Sequence, residues 1–310
     1  MRLRINDNDN GEGPMNKIIA LLASLLLTLP APAQQPAQKL KVFISVDMEG
    51  ISGVVTADQT GAGGADYNRF RRLMTEETNA AIIGAMAAGA TEIVVNDSHG
   101  SMRNLLIEDL QPPAELISSN IKPMGMAQGL DNTFDAVIFI GYHAKAGSAV
   151  GVLAHTGSGA IGDLRINGRS VGEAGMNILA AGALGVPVVA ITGDQEAIAQ
   201  ARELVPNIEG VQVKEAIGTL AARSLRPEEA RRRIREGTAR ALKRRKEISP
   251  VKPATPATFE VIFTQTALAA VAEEIPTVKR VNEHTVRFEA ADFLQGYRLF
   301  RVLYKYLQVN

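Results

Sequence analysis

The chain has 310 residues, 46% of them hydrophobic and 21% charged, and its 33 Lys and Arg residues balance 33 Asp and Glu. This is the composition of an ordinary globular protein, long enough for one large α/β domain or two smaller ones. Zero net charge gives no footing for nucleic-acid binding, the absence of Trp argues against a stacking platform, and the absence of Cys excludes disulfides, thiolate ligands and a thiol nucleophile together.

Residues 1–33 read as a leader and signal peptide. Lys17 supplies positive charge, residues 18–29 form an apolar run too short for a bilayer span of ~20 residues, and Ala31-Pro32-Ala33 places a cleavage site before Gln34. The polar stretch before Met15 is explained if Met15 is the true start. The expectation is an exported protein, periplasmic or secreted, with no stable membrane anchor after cleavage. The alternative is a retained N-terminal anchor.

Strands and helices then alternate. Residues 41–46 (KVFISV), 92–95 (EIVV), 136–140 (AVIFI) and 187–191 (PVVAI) are short apolar, β-branched runs. Helical patterns over residues 66–88 and 171–184 lie among them, each closed by Gly. This alternation predicts an α/β fold with a mainly parallel sheet flanked by helices. A basic helix over residues 227–247, a Pro-rich linker (PVKPATPAT) and a strand–strand–helix unit follow. They predict a smaller C-terminal α+β portion over residues 201–310, beside a metal-binding catalytic domain over residues 40–200. The basic helix reads as a solvated outer face, with an oligomer contact as the alternative.

Ligands of open α/β sheets bind at the carboxyl ends of the strands. Asp47 and Glu49 close the first strand, two residues apart and so on one side. His99 follows the second strand (VVNDSHG) and His143 the third (FIGYHA); His155 comes twelve residues later, and Glu173 falls in the first turn of a helix. Taken singly, each has a plain structural reading as a cap, a loop residue or a helix-dipole carboxylate. Taken together, Asp47, Glu49, His99, His143 and Glu173 form a sulfur-free ligand set suited to Zn²⁺, with Mn²⁺ or Co²⁺ as alternatives. Five donors exceed the need of one tetrahedral ion with an open position and suit two ions about 3.5–4 Å apart. Asn96 and Asp97 are candidates to support His99 from behind. Asp194 reads either as facing the site or as a helix N-cap. His284 reads as a solvent-facing strand residue.

The ordered set SVDMEGISG, MTEETN, VNDSHG, GYHA and ING-x-x-VGE-x-G-x-N, with the His155 segment, resembles the D-aminopeptidase family of binuclear zinc peptidases from residue 40 onward. The resemblance implies two Zn²⁺ per subunit on Asp47, Glu49, His99, His143 and Glu173, with Asp47 as the bridge. It implies His155 as the catalytic histidine, with a weak metal ligand as the other reading. It also implies a short peptide substrate with an N-terminal D-residue, and a ring-like homo-oligomer. The Gly-rich HTGSGAIGD around His155 and the signal peptide depart from the family pattern. Two rivals remain: a two-metal phosphoesterase, which would want cations near the metals and finds Lys145 closest to the histidine motifs, and a periplasmic solute-binding protein that needs no metal.

Overall fold

The computed structural model describes residues 39–309, so the expected leader and signal peptide lie outside the described residues. Among the described residues, no helix is long and apolar enough to cross a membrane.

The central sheet has six strands in the order β3-β2-β1-β4-β7-β8: β1 (Leu40–Val46), β2 (Ala90–Asp97), β3 (Glu115–Ile117), β4 (Ala136–Ile140), β7 (Val188–Gly193) and β8 (Glu209–Gln212). Every pairing in it is parallel. All five residues of β4 and six of the seven in β1 are buried, as expected of strands covered on both faces. From β1 the chain steps outward to β2 and β3, and then returns to place β4 on the other side of β1. The order therefore reverses between β1 and β4, and such a reversal opens a crevice beyond the strand ends.

Helices α1 (Ala57–Thr60), α2 (Tyr67–Ala87), α3 (Glu173–Ala183) and α4 (Gln195–Arg202) lie between these strands in the chain, and α5 (Pro227–Lys243) follows the last of them. Pro227 opens α5, with Glu228 and Glu229 in its first turn and Arg240 and Lys243 in its last, which complements the helix dipole. Ile234, Ala241 and Leu242 of α5 are buried, while Arg232 and Arg233 pair with Glu229 on its exposed side. The basic run is thus a solvated face.

A second, antiparallel sheet has the order β12-β13-β11-β5-β6, from β5 (Ile161–Ile166), β6 (Arg169–Ser170), β11 (Ala257–Phe263), β12 (Lys279–Arg280) and β13 (Thr285–Ala290). Helices α6 (Thr266–Glu273) and α7 (Phe293–Lys305) cover it, and β9 (Lys214–Ala216) with β10 (Ala222–Ser224) forms a separate hairpin. Nearly every residue of α3 is buried, because it packs on both cores. Ala174, Ile178 and Ala181 join the core of the parallel sheet, and Met176, Leu179 and Ala180 join that of the antiparallel one.

The chain from Lys39 onward forms one compact unit. The expected division near residue 200 does not coincide with a structural break. It falls inside α4, after which β8 joins the parallel sheet, while β5, from the earlier half, pairs with β11 from the later one.

Candidate metal centre

The site lies in the crevice at the switch between β1 and β4. Two glycines let the strand ends close on each other. A side chain at Gly50 would sit 2.0 Å from the Tyr142 carbonyl oxygen, and one at Gly141, whose φ is +69°, would sit 2.3 Å from that of Asp47. The Gly50 amide instead donates to the Gly141 carbonyl at 2.7 Å. The loops carrying Asp47, Glu49 and His143 thus pack backbone to backbone.

The structure brings together all six residues named from the sequence. Asp47 stands between two imidazoles, its Oδ1 3.2 Å from His99 Nδ1 and its Oδ2 3.3 Å from His143 Nε2. Glu49 Oε2 is 3.0 Å from His99 Nδ1. Glu173, at the start of α3, places Oε2 3.3 Å from His143 Nε2 and Oε1 3.6 Å from His155 Nε2. The His143 and His155 rings stack at 4.1 Å.

Backbone carbonyls fix the tautomer of each histidine. A carbonyl only accepts, so the nitrogen facing it carries the hydrogen. His99 Nε2 donates to Thr60 O at 2.9 Å, His143 Nδ1 to Ala144 O at 2.8 Å and His155 Nδ1 to Leu153 O at 2.9 Å. The remaining nitrogens, His99 Nδ1, His143 Nε2 and His155 Nε2, point their lone pairs at carboxylate oxygens, which also only accept. Asp47 Oδ2 and His143 Nε2 are buried without any hydrogen-bond partner. Acceptors facing acceptors in a buried site need cations between them. The oxygen and nitrogen donors, the fixed tautomers and the unpartnered atoms all fit a zinc site. Asp47, Glu49 and His143, and separately His143, His155 and Glu173, each converge closely enough to hold an ion.

The titration behaviour carries the same sign. Burial pushes Asp47 upward, and the neighbouring Glu49 charge adds to this. Burial opposes ionisation of Glu49 as well, but His99 holds it well below the usual carboxylate range. Glu173 is brought to about 2 by His143 and His155, against its burial. Burial would lower His99 and His143; the Glu49 charge, for His99, and the Glu173 charge, for His143, overcome it and raise both well above the ordinary imidazole value. The site demands positive charge at these two nitrogens.

Several supports are invisible in the local sequence pattern. Lys214, 2% exposed, reaches under the β1 loop and donates to the carbonyls of Glu49, Ile51 and Val54. Glu77 Oε1 accepts the Ser52 amide at 2.9 Å. The Gly157 amide donates to Glu173 Oε1 at 2.6 Å. Helix α7 contributes Arg301, Tyr304 and Lys305 to the wall of the cavity, about 200 Å³, that opens onto Asp47, Glu49, His99, His155 and Glu173. A charge at Arg301, within the apolar stripe Phe293, Tyr297 and Tyr304, is the one sequence signal that could have led there.

Other expectations resolve differently. Asp97 accepts from the Asn104 and Leu105 amides and from the Asn104 side chain, which in turn donates to the His99 carbonyl. Asn96 accepts from Lys122. Neither touches a site imidazole. Asp194 caps α4 through the Ala197 amide and also accepts from Val152, so its structural reading holds. His284 lies in the turn before β13, half-buried, with Nδ1 3.0 Å from the Phe263 carbonyl. Lys145 turns to Ser170 Oγ at 2.8 Å.

A peptidase family described as D-aminopeptidase matches residues 40–302. A D-aminopeptidase of Bacillus subtilis (strain 168) is 40% identical over 265 residues, 85% of this chain and 96% of that relative. Among solved structures, the Zn-dependent D-aminopeptidase DppA from Bacillus subtilis, described as a self-compartmentalizing protease, superposes with a TM-score of 0.83 at 39% identity, covering 85% of this chain and 96% of that one. With the crevice at the strand switch, the converging donors and a match that spans the whole two-sheet unit, the chain belongs to the D-aminopeptidase family of peptidases.

Proposed function

We propose that the protein is a zinc-dependent aminopeptidase that removes the N-terminal residue, a D-amino acid such as D-Ala, from short peptides. The observation that carries this reading is Asp47 held between His99 and His143, with Glu49 and Glu173 on the outer sides. That arrangement supplies one shared carboxylate and two flanking donor pairs, which is what two ions per subunit require. Asp47, Glu49, His99, His143 and Glu173 would hold them. Bound ions supply Lewis acidity and a water activated at neutral pH.

The protein's own groups do the rest. The end of the cavity that carries Asp47, Glu49 and Glu173 is where the substrate's free amine and scissile bond would lie. His155 is the most open of the three site histidines, with 29% of its side chain exposed against 11% for His99 and 1% for His143. Leu153 O holds its Nδ1 hydrogen, so Nε2, which faces Glu173 Oε1 at 3.6 Å, is the nitrogen that would take up a proton and return it to the leaving amine. The stacked, buried His143 cannot exchange protons with the cavity in that way.

Two further parts of this reading concern setting. Export rests on the apolar segment over residues 18–29 and its Ala-Pro-Ala site. A ring-like homo-oligomer is supported by the self-compartmentalizing relative and by exposed Ile217 and Leu220 on the β9–β10 arm.

The experiment is a substrate profile of zinc-loaded protein on paired D- and L-aminoacyl p-nitroanilides, with a phosphate ester as control. Cleavage of D-Ala-p-nitroanilide well above its L-counterpart is expected. Equal or faster cleavage of the L-series, or turnover of the ester alone, overturns the assignment.

A further inference from the structure

The cavity is polarised. The carboxylates of Asp47, Glu49 and Glu173 lie on one side, and α7 lines the other with Arg301, Tyr304 and Lys305. Arg301 is 2% exposed, yet among the described residues no carboxylate lies within ion-pair distance of it. Its guanidinium meets four acceptors: Lys122 O at 2.6 Å, Tyr304 Oη at 2.8 Å, Asn120 Oδ1 at 2.9 Å and Met102 Sδ at 3.8 Å. All four are neutral, and a guanidinium carries five N–H donors. One turn on, half-buried Lys305 donates to Gly100 O at 2.7 Å and keeps two further donors. Two neighbouring cations, one buried and one half-buried, with no carboxylate in contact are costly to desolvate. A ligand anion would relieve that cost.

We propose that Arg301 and Lys305 form a subsite for the free C-terminal carboxylate of the substrate, which makes zwitterionic dipeptides the substrate class. This rests on the aminopeptidase reading above. With the substrate's N-terminal end at the side that carries Asp47, Glu49 and Glu173, its terminal carboxylate meets the wall of Arg301 and Lys305. A cavity of about 200 Å³ is smaller than the ~300–1,000 Å³ usual for small-molecule sites, so a substrate that spans both sides must be short. Arg301 is fixed among the Lys122 carbonyl, Asn120 and Tyr304 and sets the position of the positive charge. Lys305, nearer the solvent, supplies the adaptable contact.

The test compares D-Ala-D-Ala with D-Ala-D-Ala amide on zinc-loaded wild type, Lys305→Gln and Lys305→Arg. Lys305 is chosen because substitution of the buried Arg301 endangers folding. Wild type should favour the free acid in kcat/KM, through KM. Lys305→Gln should shrink that preference about tenfold, the size of one lost charge-assisted hydrogen bond, and Lys305→Arg should restore it. No preference for the acid in wild type, or an unchanged preference in Lys305→Gln, overturns the subsite while leaving the aminopeptidase reading intact. Failure of wild type to cleave either peptide or D-Ala-p-nitroanilide overturns the reading on which it rests.

Discussion

Asp47 Oδ2 and His143 Nε2 face each other at 3.3 Å in the protein interior, and neither has a hydrogen-bond partner. His143 is held in this orientation from behind, where its Nδ1 hydrogen is taken by the Ala144 carbonyl. An acceptor pair of this kind is expensive to bury unless a cation bridges it. The other side of Asp47 repeats the pattern with His99, whose Nε2 hydrogen goes to Thr60. The fold thus prepares two adjoining places for positive charge.

His155→Ala separates proton transfer from metal retention. Zinc content should stay at the wild-type level while kcat falls roughly 10²–10⁴-fold, the usual range for a lost general acid–base. Loss of zinc in step with activity would make His155 a ligand, and activity within ~10-fold of wild type would take it out of the mechanism.

The Lys214 hydrogen bonds all go to backbone carbonyls of the loop that carries Glu49, those of Glu49, Ile51 and Val54. Lys214→Met should therefore weaken zinc binding roughly 10- to 100-fold by letting Glu49 drift, as loss of outer support does elsewhere. Competition with a fluorescent chelator reads this directly. Wild-type affinity in the variant would show that the loop holds itself.

Glu77 gives a pH signature. Burial raises its carboxyl from 4.5 to about 7, against the Ser52 amide and the Lys214 charge. An acid with a raised folded-state value binds its proton more tightly when folded, so its contribution is most favourable below pH 4.5 and diminishes as pH rises to about 7. Across that window the loss is roughly 3 kcal/mol. Glu77→Gln keeps an acceptor for Ser52 but cannot ionise. Denaturant unfolding of both proteins at pH 5 and pH 8 should show the variant gaining on wild type at the higher pH; parallel changes would mean that Glu77 titrates normally.

The clustering of the candidate ligands was legible because a parallel sheet delivers successive strand ends to one edge. An imidazole after β2, another after β4 and a carboxylate pair after β1 could be placed on that edge from strand order alone. Glu173 was ambiguous in sequence, since a first-turn carboxylate also suits a helix dipole; only the packing of α3 between the two cores brings it to His143. Local patterns say nothing about which distant segments pair. The β5–β11 pairing, which ties the two halves of the chain together, was therefore missed, and a boundary was expected near residue 200. Lys214, Glu77 and Arg301 were missed for a related reason. Lys214 and Arg301 are charged residues in apolar stretches, Glu77 lies in the polar run TEETN, and the partners of all three are backbone atoms or distant side chains, which leave no spacing rule behind.

The most direct measurement is zinc stoichiometry by elemental analysis of purified wild type and Asp47→Ala, after dialysis in zinc-containing and then zinc-free buffer. Wild type should retain two zinc ions per chain and Asp47→Ala should retain fewer than one, because a shared carboxylate serves both positions. One ion or none in wild type, or two in Asp47→Ala, would contradict a paired-metal centre built on Asp47.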